Sequence, residues 1–333
     1  MKIRHVVTGL AILAMASCGE KPGFETDGFA GKRWFKGNTH THTTMSDGDS
    51  PPEVVAKWYK DHDYNFLVLS DHNVFTDPAP LSKLVDAKFL LIPGEELTTG
   101  FMLKPVHVNG LNIPGKIDPK LDASLAGTIQ KNVDAVRAVN GVPHINHPNF
   151  KWAISQSDLL QINNDKLLEI YNGHPGVNNF GGGGWPGMDQ VWDHLLTAGK
   201  EIYGIAVDDA HHFQGEFGPS RSNPGHGWVV VRAQNLAARE IVENLEKGLF
   251  YASTGVELDD IKITSTQIEI YIAKQGDFKF RTEFIGSGGK ILLNSETNPA
   301  IYKLSGNEPY VRAKVYNSGG YVAWVQPVFA RKP

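Results

Sequence analysis

The stretch Asn38-Thr39-His40-Thr41-His42-Thr43-Thr44-Met45-Ser46-Asp47-Gly48-Asp49 sets the reading of everything after it. In an extended segment alternate side chains share a face, so His40 and His42 point the same way. Asp47 follows within one turn of loop. Imidazoles and a carboxylate converging on one point are what a divalent transition metal requires. Arg33-Trp34-Phe35-Lys36-Gly37 leads in as a short first strand, which places both histidines just past its C-terminal end.

The same grammar recurs downstream. Phe66 to Leu69 is an apolar strand ending in Ser70-Asp71-His72, and Phe89 to Ile92 is another, ending in Pro93-Gly94-Glu95-Glu96. Val106-His107-Val108-Asn109 reads as a strand, and one from Val142 ends at His147-Pro148. Leu167 to Tyr171 ends in Asn172-Gly173, and Ile202 to Val207 ends in Asp208-Asp209-Ala210-His211. Helices fall between them. Ser50-Pro51-Pro52-Glu53 predicts a capped start, Ser50 being the cap, and Ala126 to Val139 carries helical spacing stopped by Gly141. Met188 to Ala198 and Leu236 to Lys247 are two more helices, each closed by glycine. Strand alternating with helix predicts parallel β/α units, and continuous apolar strands predict burial on both faces. Ligand-type residues collect at the strand C-termini, where both α/β barrels and doubly wound sheets build sites. No glycine-rich phosphate fingerprint follows the first strand, so a nucleotide cofactor is not expected.

After Gly255 the pattern changes to short strands that alternate apolar and polar, such as Ile268 to Ile272 and Tyr310 to Tyr316. This predicts a small antiparallel β-sandwich-like domain over residues 256–333, behind an α/β domain over 32–255. It contains no histidine and gets no metal role.

The chain has 333 residues, 41% hydrophobic and 20% charged, with a formal net charge of −4. That is globular composition. Lacking a Lys/Arg-rich run, it is not expected to hold nucleic acid through phosphate contacts. Lys2, Arg4 and the short apolar run Val6 to Ala16 read as a signal peptide over residues 1–17. Leu13-Ala14-Met15-Ala16-Ser17-Cys18-Gly19 resembles a bacterial lipobox, with Met15 where leucine is usual. The resemblance implies lipidation of Cys18 and an envelope protein anchored to the membrane; plain secretion is the alternative. Residues 18–31 read as a flexible tether. Cys18 is the sole cysteine, so neither a disulfide nor a thiolate metal site is expected in the mature chain.

Taken in order, His40-x-His42, Asp47, Asp71-His72, Gly94-Glu95-Glu96, His107, His147-Pro148 and Asp209-Ala210-His211 resemble the motifs of the PHP (polymerase and histidinol phosphatase) family. They run from Asn38 to His211, more than half of the mature chain. The resemblance implies a distorted (β/α)7 barrel with two or three divalent ions, Zn, Mn or Fe, at its mouth. It implies His40, His42, Glu96 and Asp209 on one ion, Glu96, His107 and His147 on a second, and Asp47, His72 and His211 on a third. Glu96 is chosen over Glu95, and Asp209 over Asp208, because the family patterns are Gly-x-Glu and Asp-x-His.

Around that set, Glu169 and Asp71 are expected to support the ligands from behind. His144, three residues before His147, is a support or a substrate contact. His144 or His211, protonated at the rim, is expected to assist the leaving group. His174, Trp185 in the glycine-rich stretch from Asn178 to Gly187, and Arg221 are candidate substrate contacts, each against a plain loop or surface role. A metal held by imidazole and carboxylate lowers the pKa of bound water to about 7. The expected activity is therefore hydrolysis of a small phosphoester by metal-bound hydroxide. Carboxyl, amide or carbamate ester hydrolysis on the same site is an alternative, and a non-catalytic binding protein is another. Nothing in the sequence selects an oligomeric state.

Overall fold

The computed structural model describes residues 29–330; the signal segment, Cys18 and most of the tether lie outside the described residues. Eight strands come first: β1 (Arg33–Asn38), β2 (Phe66–Leu69), β3 (Leu90–Phe101), β4 (Lys104–Leu111), β5 (Val142–Ile145), β6 (Leu167–Asn172), β7 (Tyr203–Val207) and β8 (Trp228–Ala233). The helices are α1 (Pro52–Asp61), α2 (Leu125–Ala138), the single turn α3 (Gln156–Leu159), α4 (Met188–Thr197) and α5 (Ala238–Glu246). Among the described residues no helix is long and apolar enough to cross a membrane.

The strands lie in the order β8-β1-β2-β3-β4-β5-β6-β7 within one larger mixed sheet. Phe35, Phe66, Val68, Ile92, Leu111, Val142, Leu167, Ile205 and Val229 from these eight strands share one apolar cluster with Ile241, Val242 and Leu245 of α5. The strands thus curl around a common interior, with the apolar face of α5 set against it. No ladder joins β7 to β8 or to β1 among the described residues. Past their ends, however, β1 and β7 meet in a parallel bridge between Thr41 and Ala210. His42 N–H donates to Ala210 O at 2.9 Å, and Asp209 N–H to His40 O at 3.0 Å. The histidine segment is itself the tie across the gap.

Two expectations need correction. β3 does not stop at Ile92; it runs through Glu96 to Phe101 and turns back as the antiparallel β4. His107 therefore lies in mid-strand and not at a strand end. The hairpin turn is Met102-Leu103, both with positive φ (46° and 68°), in a geometry that usually selects Asn or Gly. Ser50, expected to cap α1, donates instead to Asp49 Oδ1 at 2.9 Å, and the helix begins at Pro52 behind Pro51.

The C-terminal strands are β9 (Phe250–Ser253), β10 (Leu258–Ile263), β11 (Gln267–Ile272), β12 (Phe280–Gly286), β13 (Lys290–Ser295), β14 (Ala300–Lys303), β15 (Tyr310–Asn317) and β16 (Val322–Phe329). β16 pairs with β9 and β9 with β8, so β12, β13, β15 and β16 extend the main sheet to thirteen strands. β10, β11 and β14 form a separate three-stranded sheet. One core cluster takes Ile261, Ile270, Val311 and Val315 together with Val55, Tyr59 and Trp228, and so crosses the change in texture at Gly255.

Candidate metal centre

The opening segment delivers its side chains as the period of two requires. His40 and His42 are fully buried with their Nε2 atoms 3.1 Å apart, while Thr41 faces the other way and donates to Ala210 O. Asp209 Oδ1 lies 3.3 Å from His40 Nε2 and 3.1 Å from His42 Nε2. Asp209 holds φ at 50°, a left-handed conformation that aspartate tolerates better than most residues.

Glu96 stands at the middle. Its Oε1 is 2.9 Å from His107 Nδ1, 3.5 Å from His40 Nε2 and 3.6 Å from His147 Nε2. Its Oε2 is 2.6 Å from His72 Nδ1 and 3.5 Å from His42 Nε2. The two oxygens of one carboxylate thus face two sets of imidazoles. Glu95 points to the opposite face of β3, where it accepts from Ile117 N–H at 2.9 Å. Asp208 likewise faces away and accepts from Tyr59 Oη, His226 N–H and Gly227 N–H. Asp47 completes the cluster, 3.4 Å from His211 Nε2, 3.5 Å from His72 Nε2 and 3.6 Å from His42 Nδ1.

Four overlapping groups have the spacing of a metal site: His40, His42 and Asp209; His40, Glu96 and His147; His72, Glu96 and His107; and His42, Asp47, His72 and His211. Four ligands at about 2.0–2.1 Å in a tetrahedron stand about 3.3 Å apart, close to the separations seen here. Glu96 Oε2 and His107 Nδ1 are buried and, close as their neighbours stand, make no well-aligned hydrogen bond, as atoms reserved for a cation would. The residues fit a divalent metal. All nine expected ligands are brought together, and His40, His42 and His72 are shared more widely between groups than the expected partition has it.

The surroundings hold Glu96, Asp209 and His42 in the states that ligation needs. At His40, His72, His147 and His211 burial is outweighed by the facing carboxylates, which raise these rings, and they give up a proton to a bound ion. Burial alone would raise the Glu96 carboxyl, but His107, His40 and His72 reverse this and keep it well below the usual carboxylate range. Burial acts the same way on Asp209 and is overcome by His40 and His42. Burial and the neighbouring His211 push His42 down to about 4, leaving a neutral ring with a free lone pair at neutral pH.

Behind the ligands, Glu169 accepts from His40 Nδ1 at 2.7 Å and from His147 N–H at 2.8 Å. A carboxylate on the far nitrogen fixes the ring's tautomer and orientation. Asp71 accepts from Thr43 N–H and Thr43 Oγ1 at 2.8 Å, Ser46 Oγ at 2.8 Å and Thr76 Oγ1 at 2.5 Å, which clamps the loop that carries Asp47. Gly48 closes that loop so tightly that a Cβ there would sit 2.8 Å from the His42 backbone. Glu169→Gln is expected to lower metal affinity about 10–100-fold with the fold intact. Metal titration followed calorimetrically checks this; unchanged affinity would show that Glu169 does not tune His40.

The cluster floors a cavity of about 130 Å³ lined by Asp47, His72, His107, His147, Phe150, His174, Val177, Asp209 and His211. His144 does not reach it. Its ring is fully buried, with Nε2 3.4 Å from Thr39 O, and burial pushes its pKa down to about 4. The expectation of a protonated His144 at the rim therefore fails. Arg221 is also absent from the lining: its Nη2 donates to Gln214 O at 2.9 Å and faces Asp49 at 3.5 Å, an ordinary surface pairing. Trp185 is half exposed and also absent from the lining. His174 does line the cavity, and its Nδ1 accepts from Gly176 N–H at 3.0 Å.

Sequence reading missed three asparagines. Asn146 Nδ2 donates to Glu96 Oε1 at 2.8 Å and to Asn109 Oδ1 at 2.9 Å. Asn172 Nδ2 joins Glu169 Oε2 at 3.0 Å to Asp209 Oδ2 at 3.1 Å. Asn109 was within reach, because it shares a strand face with His107 two residues earlier.

No family model matches the chain. Among solved structures it is similar to a two-domain protein of Bacteroides vulgatus ATCC 8482 containing a predicted PHP-like metal-dependent phosphoesterase. That overlay has a TM-score of 0.51 at 15% identity, over 89% of this chain and 94% of the other. Looser overlays join it to a protein of Bifidobacterium adolescentis described as a metal-dependent phosphoesterase (TM-score 0.43, 12% identity, 63% of this chain and 94% of that one). They also join it to an amidohydrolase of Chromobacterium violaceum (TM-score 0.38, 13% identity, 56% and 93%). A stretch of 77 residues, 22% of the chain, is 34% identical to the 5'-3' exoribonuclease Rnm of Escherichia coli (strain K12); it spans only 26% of that relative. The fold of this chain is PHP-like, and a His/Asp-rich group of metal-capable residues lies at its heart.

Proposed function

We propose that the protein is a metal-dependent hydrolase acting on a small phosphoester. The observation that carries this is the buried Glu96, whose two oxygens face separate sets of imidazoles, three of which, on His72, His107 and His147, line a small open cavity. His40, His42, Asp47, His72, Glu96, His107, His147, Asp209 and His211 would hold two or three ions, and their N/O donor set suits Zn, Mn or Fe. A divalent ion bound there supplies Lewis acidity and lowers the pKa of a coordinated water to about 7. Glu169, Asn146 and Asn172 keep the ligand side chains aimed. Phe150 and Val177 form an apolar wall that restricts water on one side of the cavity. Burial lowers the His174 pKa, so the ring is neutral at pH 7. With Nδ1 accepting, its proton sits on Nε2, where it can be donated in a hydrogen bond to an oxygen of the substrate.

We read the eight-strand arc as the family's distorted barrel, tied at its mouth by the bridge between Thr41 and Ala210. Carboxyl, amide or carbamate ester hydrolysis is the second reading. One observation favours it: no lysine or arginine among the described residues lines the cavity. The metal-loaded protein turned over with p-nitrophenyl phosphate, bis-p-nitrophenyl phosphate and p-nitrophenyl acetate separates the two. Phosphoester hydrolysis that disappears in His40→Ala supports the first. Acetate hydrolysis alone, also lost in His40→Ala, overturns it in favour of the second. Metal at full stoichiometry with no turnover indicates a binding protein.

The run from Lys2 to Cys18 supports placement in the cell envelope on a lipid anchor. Cys18→Ser is then expected to abolish labelling by radioactive palmitate in a bacterial host; retained labelling would contradict it.

A further inference from the structure

The chain after His147 is strained. His147 itself has φ at 22°, and Lys151 and Trp152 are consecutive left-handed residues with φ at 51° and 53°. A bulky residue in that region is a costly outlier, and such strain collects at functional segments. The turn is held by Phe150 N–H to His147 O at 2.8 Å, Trp152 N–H to Asn149 O at 3.2 Å and Ala153 N–H to Phe150 O at 3.1 Å. It sets three side chains in a row. Phe150 lines the cavity, 5.3 Å from the His147 ring. Lys151 holds its Nζ 5.3 Å from the centre of the Phe150 ring. Trp152 stacks on Trp185, centres 5.6 Å apart and planes at 28°.

Trp185 comes from the glycine-rich loop, folded on itself by paired hydrogen bonds between Gly182 and Trp185. That loop is fastened to the turn through Asn149: its Nδ2 donates to Asn178 O and Pro186 O, both at 3.0 Å, and its O accepts from Asn178 Nδ2 at 3.1 Å. Both segments rise from the apolar wall, where Phe150 bridges Val177. Trp185 is 50% exposed and Phe180, on the same loop, 84%, so the loop offers more than one large apolar side chain to solvent.

We propose that Phe150, Lys151, Trp152 and Trp185 form a subsite for the part of the substrate beyond the scissile bond, and that this part is a planar aromatic ring carried on an anionic ester. The ring extends the Trp152–Trp185 stack, and the Lys151 ammonium meets the negative charge between the ring and the metal ligands. The proposal rests on the hydrolase reading above, which it sharpens by naming the substrate class.

The test compares 2-naphthylphosphonate with methylphosphonate, binding to the metal-loaded protein by calorimetry. The wild type is expected to hold the naphthyl compound about tenfold tighter, with quenching of tryptophan fluorescence. Trp185→Ala should remove that advantage and leave the methylphosphonate Kd unchanged, while Trp185→Phe restores most of it. Lys151→Gln should weaken both phosphonates about threefold. A parallel series, the Michaelis constants for naphthyl acetate and for ethyl acetate, distinguishes failure of the subsite from failure of the phosphoester reading. Ring preference lost in Trp185→Ala for acetates, without phosphonate binding or phosphate turnover, keeps the subsite and overturns the phosphoester reading. Phosphate turnover with no ring preference in either series overturns the subsite and leaves the phosphoester reading standing.

Discussion

Glu96→Gln is expected to release metal from more than one position and to lower kcat for phosphoester hydrolysis by about 10³-fold or more. The carboxylate is shared by two of the metal-capable groups, one with His40 and His147 and the other with His72 and His107. Glutamine keeps the shape but loses the charge, and it presents an NH₂ to one set of imidazoles. Metal-supplied stabilisation of transition-state charge is worth several kcal/mol, and each 1.36 kcal/mol is tenfold in rate, which sets the expected scale at about 10³. Asp47→Ala should behave differently. Asp47 belongs to a single group, with His42, His72 and His211, so only the ion held there is lost. Elemental analysis of both variants beside the wild type, with circular dichroism to show that they fold, checks this. Equal losses from the two variants would contradict the shared position of Glu96.

The second large effect is on stability. Asp193→Ala is expected to cost about 3 kcal/mol, because it strips the buried Arg312 of both its close contacts and leaves only the Asp189 carboxylate at 3.5 Å. Arg312, on β15, is almost wholly buried; its Nε and Nη2 each lie 2.7 Å from an Asp193 oxygen on α4. Its guanidinium stands over the Trp192 ring at 4.8 Å. Lys314 pairs with Asp189 beside it, and Trp324 Nε1 donates to Asp189 Oδ1 at 3.0 Å. This is one polar fastening of the C-terminal strands to the α/β part; Gln326 on β16, paired both ways with the Gly204 backbone, is another. Urea unfolding measures the loss. The double variant Asp193→Ala/Arg312→Met removes both charges and should recover about half of it or more, since the cost is mainly that of stranding one charge. A double variant as unstable as the single one would show instead that the loss is one of packing.

The residues that cluster were legible because their ordered motifs resemble those of the PHP family. Motif pattern also told Glu96 from Glu95 and Asp209 from Asp208. Strand alternation gives the physical reason for the glutamates, while the aspartates lie past the end of β7 and the left-handed turn at Asp209 aims it at the cluster as Asp208 faces away. Direction was not legible in the same way. Val106 to Asn109 reads as a strand, but nothing in Met102-Leu103 announces the tight reversal that makes it antiparallel. β16 escaped notice because most of it is buried on both faces, so it lacks the alternation that marked its neighbours. Burial also decided the side chains that were misread. His144 looks like a rim histidine in one dimension and lies beneath the cluster in three. Arg221 follows the last metal motif, yet it is taken by Asp49 and Gln214. The asparagines that orient Glu96 and Asp209 gave no signal, since an asparagine at a strand end is usually a turn residue.

Everything proposed for the chemistry depends on metal held by the His/Asp/Glu cluster. The most direct test is a metal titration of the stripped protein with Mn or Zn, reading bound ion and turnover of bis-p-nitrophenyl phosphate together. No turnover is expected without metal, and activity should rise with occupancy to a plateau at two or three ions per chain. Full turnover by the stripped protein, or occupancy and activity unchanged in His40→Ala, would contradict it.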